Sequence, residues 1–320
     1  MGKSKRINIM TSCDDNLAKQ LPVLLQSIVE NLSDKEVHFY LFYSQISEET
    51  ISLLEAFCKC HQMLQFHEIV VPNADAYVQL AKRGGGWCGE AYYSYCAHEL
   101  LPDDVERIMY LDAGDVILSG DITEYYDVDF EDRSLIATAI CYKQFPDHNE
   151  AFEAEDMSEP DVLKWILRGI FNSGSYVLNL KKLRTDGYSL GDYLFLSERL
   201  AEVLGSEDKI YWGDQGLLSV AFVGDIKFWG YPQIADMWYM PYNFCMWYFN
   251  KFDEKPSYAT QVIHYAGGAY KPWQVQYETI IPAFQNGELG SMDGLRVGQR
   301  EYYQMWYEYA KKASEILEKL

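Results

Sequence analysis

Apolar positions change their period several times along the first 140 residues, and each change marks an element. Ile7 to Ser12, Val37 to Tyr43 and Leu64 to Val70 are short runs rich in β-branched and aromatic side chains, which read as buried strands. Between them, Leu17 to Leu32 and Ser47 to Cys60 repeat apolar residues at helical spacing, and Ser47 stands where an N-cap hydroxyl belongs. Alternating strand and helix patterns predict a mostly parallel sheet flanked by helices, an α/β fold. Gly84-Gly85-Gly86 breaks the chain before an aromatic helical run, Glu90 to Leu101, that Pro102 closes. Arg107 to Leu111 and Ser134 to Cys141 are further strands, and Leu217 to Phe222 is helical. The acidic stretch Pro146 to Pro160 reads as a lid or acceptor-side insertion rather than a linker. From Arg300 onward, Tyr302, Tyr303, Trp306, Tyr307 and Tyr309 make an aromatic-rich helix. Its face either packs back on the body or offers an acceptor or partner surface, including one for an oligomer.

Composition narrows the class. With 320 residues and 48% hydrophobic content the chain can bury an ample core. A net charge of -21 argues against nucleic acid as a partner, because that binding rests on neutralising phosphates with Lys and Arg. It also disfavours docking on an anionic membrane. No apolar run is long enough for a transmembrane span or an export signal. Seven cysteines in scattered positions do not suggest a disulfide framework, so a cytoplasmic location is expected. Cys58-Lys59-Cys60-His61 has zinc-ligand residue types, yet no second ligand pair follows at suitable spacing.

The candidate chemistry lies at predicted strand ends. Asp112-Ala113-Gly114-Asp115 follows the strand Arg107 to Leu111, and the carboxyl end of a strand is where open α/β sheets bind ligands. Two carboxylates so close repel unless a cation lies between them, so a divalent metal bridging a diphosphate is one reading; the other is a solvated turn. Gly114 would act as a bulge that aims both carboxylates at one ion. His264 follows Val262-Ile263 and would complete a mixed oxygen and imidazole shell suited to Mn²⁺. Asp14, Asp15 and Asn16 follow the first strand, so either Asp15 or Asn16 caps a helix or the group lines a nucleotide. Asp214 and Gln215 open the later helix, where Asp214 could equally be a cap.

Taken in order, these segments resemble glycosyltransferase family eight, from about Arg6 to Trp273. The resemblance is carried by Ile7 to Asn16, by Tyr110-Leu111-Asp112 to Asp115, by Phe171-Asn172-Ser173-Gly174, by Trp212-Gly213-Asp214-Gln215, and by Ile263-His264 through Lys271-Pro272-Trp273. It implies a GT-A fold over residues 1–275 with a C-terminal helical extension over 276–320. It implies a retaining, metal-dependent enzyme that moves a hexose, glucose or galactose, from a UDP-sugar to a glycan, glycolipid or glycoprotein acceptor. Mn²⁺ or Mg²⁺ would sit on Asp112, Asp115 and His264. Donor contacts would come from Thr11, Ser12, Asp14, Asn16, Asn172, Gly174, Gly267 and Lys271, with Asp14 and Asn16 on uracil and ribose. Asp214 would face sugar hydroxyls, Gln215 would lie below the anomeric carbon, and Lys271 would be exposed until a diphosphate arrives and assist its departure. Three positions depart from the family pattern: Leu17 replaces an aromatic that stacks on uracil, Ser94 replaces an arginine, and Gly114 lengthens the metal motif. Those departures keep open an alternative, a non-catalytic nucleotide-sugar-binding partner of an active transferase.

Overall fold

The structure is a computed structural model that describes residues 4–85, 87–139, 163–164, 166–229, 244–245, 261–265, 271–274 and 297–320. The stretch 146–160, the pair Gly267 and Gly268, and the 275/276 boundary lie outside the described residues.

The five predicted strands are present with nearly the predicted limits, β1 Arg6–Ser12, β2 Glu36–Tyr43, β3 Leu64–Val70, β4 Arg107–Leu111 and β6 Leu135–Ala139, and five more join them that the sequence reading did not delimit: β5 Val116–Leu118, β7 Phe171–Asn179, β8 Ile226–Phe228, β9 Phe244–Cys245 and β10 Val262–His264. Seven of them form one sheet in the order β3-β2-β1-β4-β7-β6-β8. Every neighbouring pair is parallel except the two that β7 makes with β4 and β6. Alternate side chains of each strand enter opposite cores: Ile7, Ile9, Phe39 and Met109 on one face, Met10, Tyr40, Ile108 and Tyr110 on the other. Helices cover both faces, which is why these strands read as apolar runs rather than as alternating ones.

The chain leaves β1 toward β2 and β3, then returns to place β4 on the other side of β1. The reversal opens a crevice beyond the carboxyl ends of β1 and β4, the kind of switch point at which such sheets bind ligands. The turn after β4 carries the chain out of the large sheet into a second one, ordered β5-β10-β9.

Two helical expectations are corrected. The segment Leu17 to Leu32 is two helices, Asp15–Ala18 and Leu21–Asn31, because Pro22 sits in the first turn of the second and cannot donate into a continuous ladder. The run Glu90 to Leu101 is a 3-10 helix, Gly89–Cys96, followed by a single α-turn, Ala97–Leu100. The Ser47 cap holds: its hydroxyl accepts from the amide of Thr50 at the head of Glu48–Lys59.

The last helix, Val297–Leu317, settles how its aromatics are used. Tyr303, Trp306, Tyr307 and Tyr309 are buried against Val23, Ile117, Ile263 and Tyr265, so the face that could have served a partner is occupied within the chain. Asn31 donates to the Tyr309 hydroxyl at 2.9 Å, and Lys312 pairs with Glu30. Trp306→Ala should therefore lower unfolding free energy by about 3–5 kcal/mol, the usual cost of emptying a large aromatic site, as read from urea denaturation. A helix serving chiefly as an interface would lose little stability as a monomer.

Candidate active site

The candidate site is assembled by two backbone junctions. The amide of Asp112 donates to the carbonyl of Gly174 at 3.0 Å, extending the β4–β7 ladder by one step. The amide of Tyr265 donates to the carbonyl of Asp115 at 2.8 Å, which seats the end of β10 beside the turn. Gly114 occupies the left-handed region at φ +73°, and a Cβ there would stand 3.4 Å from Leu17 and Gln20 and 3.6 Å from Trp273. The turn is consequently tight enough to bring ligand atoms of Asp112, Asp115 and His264 within 4.8 Å of one another. It is the one such cluster among the described residues; Cys58 is buried in the core and forms none with Cys60 and His61.

His264 is oriented from behind. Its Nδ1 lies 2.9 Å from Asn172 Oδ1, and the same oxygen accepts from the backbone amide of Gly174 at 3.0 Å. An atom that accepts from a backbone N–H must be the oxygen of the side-chain amide, so the imidazole carries its proton on Nδ1. In the neutral ring Nε2 then presents a lone pair toward Asp112 Oδ2, 3.3 Å away. Two acceptors facing each other at that separation fit a shared cation, and an imidazole held by its other nitrogen is the usual support of a metal ligand. Glycine at 174 has a plain steric reason: a Cβ would fall 2.1 Å from His264 Cε1.

Lys271 departs from expectation. Its ammonium is not exposed; it pairs with Asp115 Oδ2 and donates to the carbonyl of Tyr265 at 2.9 Å. Burial pushes the Asp115 carboxyl up, while the neighbouring Lys271 and His264 oppose that shift. The donor set of two carboxylates and one imidazole suits Mn²⁺ or Mg²⁺, and Lys271 supplies a cation beside it.

Within reach of the Asp112 charge lies Asp214, in the first turn of the helix Gly213–Ala221 and only 8% exposed. Desolvation, with a smaller contribution from the Asp112 charge, raises its carboxyl to about 8. Its own carbonyl accepts from Tyr95, one of a set of buried tyrosines that also includes Tyr92, Tyr110 and Tyr176. These rings were not singled out from the sequence, although the run Tyr92-Tyr93-Ser94-Tyr95 beside a triple glycine was the available signal. Ser94 is used inside this wall, accepting from Tyr176 at 2.7 Å. Gln215 is engaged at both ends of its amide: Nε2 donates to the Arg168 carbonyl at 2.9 Å and Oε1 accepts from the Ser173 amide at 3.3 Å.

At the β1 end, Asp14 is the helix cap, a part expected of Asp15 or Asn16. Its Oδ1 accepts from the amide of Leu17 at 2.9 Å, while Asn16, exposed, lies 3.4 Å from its other oxygen. Asp15 instead braces the neighbouring loop, accepting from the amide and hydroxyl of Ser47 and from Thr50, contacts that hold its carboxyl well below the ordinary range. Thr11 is fully buried with an unpartnered hydroxyl, and Ser12 lies 3.5 Å from the Tyr110 hydroxyl. The structure thus brings Asn172, Gly174, Lys271 and the three cluster residues together, and places Thr11 inside the sheet.

A mostly parallel sheet with a reversed β7, bearing a carboxylate and imidazole cluster at its switch point, is the architecture of GT-A glycosyltransferases. The sequence model for glycosyl transferase family 8 matches residues 8–276, and the chain belongs to that family. Among solved structures it is similar to the galactosyltransferase LgtC in complex with donor and acceptor sugar analogs, with 23% identity, 92% of this chain and 99% of that chain covered, and a TM-score of 0.62. The glycosyltransferase GlyE of Streptococcus pneumoniae TIGR4 matches at 18% identity over 98% of this chain and 63% of its own, TM-score 0.60. Mouse xyloside xylosyltransferase 1 matches at 14% over 83% and 99%, TM-score 0.56. No curated protein is a significant sequence match.

Two predictions follow from the geometry. Gly174→Ala should displace His264 and weaken Mn²⁺ binding by about tenfold or more, the scale at which loss of ligand support acts, with calorimetry as the readout and the far-ultraviolet circular dichroism unchanged. For Asp214 the folded carboxyl titrates above its unfolded value of 3.8, so the native chain holds the extra proton between those pH values. Stability tied to that proton is present below pH 3.8 and is lost as pH rises toward 8. Asp214→Asn should accordingly raise Tm at pH 8, by about 2–4 °C for each kcal/mol recovered, with the gain shrinking toward pH 4; equal Tm values across that range would contradict the buried-carboxyl assignment.

Proposed function

We propose that this glycosyltransferase is a retaining, metal-dependent hexosyltransferase that moves glucose or galactose from a UDP-sugar to a glycan, glycolipid or glycoprotein. The observation that carries the reading is the convergence of Asp112, Asp115 and His264 within 4.8 Å at the switch point, with Lys271 against Asp115. Asp112, Asp115 and His264 would hold Mn²⁺ or Mg²⁺, which when bound supplies Lewis-acid neutralisation of a departing diphosphate. Lys271 would exchange its contact with Asp115 for the diphosphate, adding a second positive charge where negative charge develops. Asn172 keeps the His264 lone pair directed forward, and Asn16 with the Asp14 oxygen it bonds would meet the uridine.

The same-face mechanism, in which the leaving phosphate takes the acceptor's proton, is preferred over double displacement. Asp214 supports it, because a carboxyl kept protonated to about pH 8 is a weak nucleophile at neutral pH. Gln215 supports it too, since both ends of its amide are already bonded to backbone. Among the described residues Cys13, Cys58, Cys60, Cys88 and Cys96 are free thiols, in keeping with a reducing cytoplasm. No helix among the described residues is long and apolar enough to cross a membrane.

The test is UDP release from UDP-galactose and UDP-glucose. EDTA should abolish release and Mn²⁺ restore it, and Asp115→Asn should slow it by at least about a hundredfold, the scale of losing a charge-stabilising group. Full activity in EDTA would remove the metal assignment. Donor binding without any release, alone or with saccharide acceptors, would favour the non-catalytic partner instead.

A further inference from the structure

Two of the departures from the family pattern, Leu17 and Gly114, are far apart in the chain and meet in the fold. Leu17 Cδ2 and Gln20 Cβ each lie 3.4 Å from the point where a Cβ on Gly114 would stand, and Trp273 Cη2 lies 3.6 Å from it. Both residues between the two carboxylates, Ala113 and Gly114, are buried. The apex of the metal turn is therefore packed between side chains of two other segments and is not an open loop.

Those side chains are themselves held. The amide of Leu17 donates to Asp14 Oδ1 at 2.9 Å, and its carbonyl accepts from the amide of Gln20 at 2.9 Å. Its side chain packs on the same core cluster that takes in Ala113 and Val116. Trp273 follows Pro272, whose carbonyl accepts from Tyr307 at 3.0 Å, and the Lys271 ammonium stands 5.6 Å from the centre of its ring. Backbone hydrogen bonds already tie Asp112 to Gly174 and Asp115 to Tyr265. The apex is what remains free to widen, and Leu17 and Trp273 close on it.

A turn that does not widen keeps its carboxylate oxygens at one spacing, and spacing selects among divalent ions. Mg²⁺ takes oxygen ligands at about 2.0–2.1 Å in near-ideal octahedral geometry, whereas Ca²⁺ takes them at about 2.3–2.6 Å in looser shells. We propose that Leu17 and Trp273 are positioning residues that clamp the lengthened turn and hold the Asp112–Asp115 site to small ions such as Mn²⁺ against Ca²⁺. Leu17 then serves the metal turn and not the base. The two departures become one compensated change: the added residue brings backbone against position 17, where an aliphatic side chain fits and a larger ring would press on Gly114. The proposal rests on the metal-dependent reading given above and adds what sets the ion preference.

Calorimetry of the full chain with Mn²⁺ and with Ca²⁺, and with UDP in the absence of metal, tests the clamp. The unaltered chain should prefer Mn²⁺. Leu17→Ala should weaken Mn²⁺ binding by about tenfold or more, the scale at which loss of ligand support acts, with Ca²⁺ binding unchanged or tighter. Leu17→Met should keep the preference, because side-chain volume is conserved. Trp273→Leu should move the preference as Leu17→Ala does, and Leu17→Tyr should also weaken Mn²⁺. His264 disfavours Ca²⁺ equally in all these variants, so the change in ratio reads the turn. An equal loss for both ions would make Leu17 merely structural and overturn the clamp. So would an unchanged preference in Leu17→Ala, with or without a loss of metal-free UDP affinity. Should Leu17→Ala not fold by circular dichroism, Leu17→Val decides by the same ratio. No Mn²⁺ binding by the unaltered chain would instead strike the metal reading itself, which the first titration identifies.

Discussion

Three electron-rich side chains converge within 4.8 Å beyond the end of β4, and much of the surrounding architecture answers that convergence. Asp112 and Asp115 would repel across a turn this short, and His264 Nε2 faces Asp112 Oδ2 at 3.3 Å. The chain offsets the charge from one side with Lys271 on Asp115, and holds the imidazole from the other with Asn172. Neither partner is near the carboxylates in sequence. The backbone then fixes the distances, through Asp112 to Gly174 and Tyr265 to Asp115, so the crowding does not relax by loop movement.

Delivery of His264 and Lys271 depends on the small sheet and on the last helix. Strand β10 pairs with β5, which continues directly from the turn that holds Asp115, so His264 arrives in register opposite Val116. The final helix supports this segment from outside: Tyr307 donates to the Pro272 carbonyl at 3.0 Å, and the rings of Tyr265 and Tyr303 meet edge to face at 5.4 Å. Those contacts lie directly after Lys271 and His264 in sequence. A helix that looks like an appendage in the chain is a buttress for the cluster in the fold.

Burial sets a second tension, between stability and chemistry. Asp214 and Asp115 are both raised by desolvation, and at Asp214 hydrogen bonds from Ser173 and from backbone amides oppose the rise without cancelling it. Buried carboxyls of this kind weaken the native state at neutral pH and are tolerated where they are used. The wall of buried tyrosines absorbs Ser94, whose hydroxyl is committed to Tyr176, so the missing arginine leaves a tyrosine–serine contact in its place.

Five of the strands, the α/β class and the position of the cluster were legible in the sequence, because apolar period and strand-end carboxylates are local properties. Gly114 was legible for the same reason: a glycine between two aspartates signals a turn that other residues resist, and its φ of +73° agrees. What the sequence alone did not determine are the partners of each polar group. Asp14 was read as a base contact, and it caps a helix with one oxygen. Lys271 was read as exposed, and it is paired with Asp115. Gly174 was read as pocket lining, and the fold adds that its missing side chain leaves room for the His264 ring. The aromatic tail was open between core and interface until its rings met Val23 and Ile263. Propensity and period depend on neighbours a few residues away, so they can be read along the chain; pairing, desolvation and steric clearance depend on residues that only the folded sheet brings together, and those were decided by the tertiary structure.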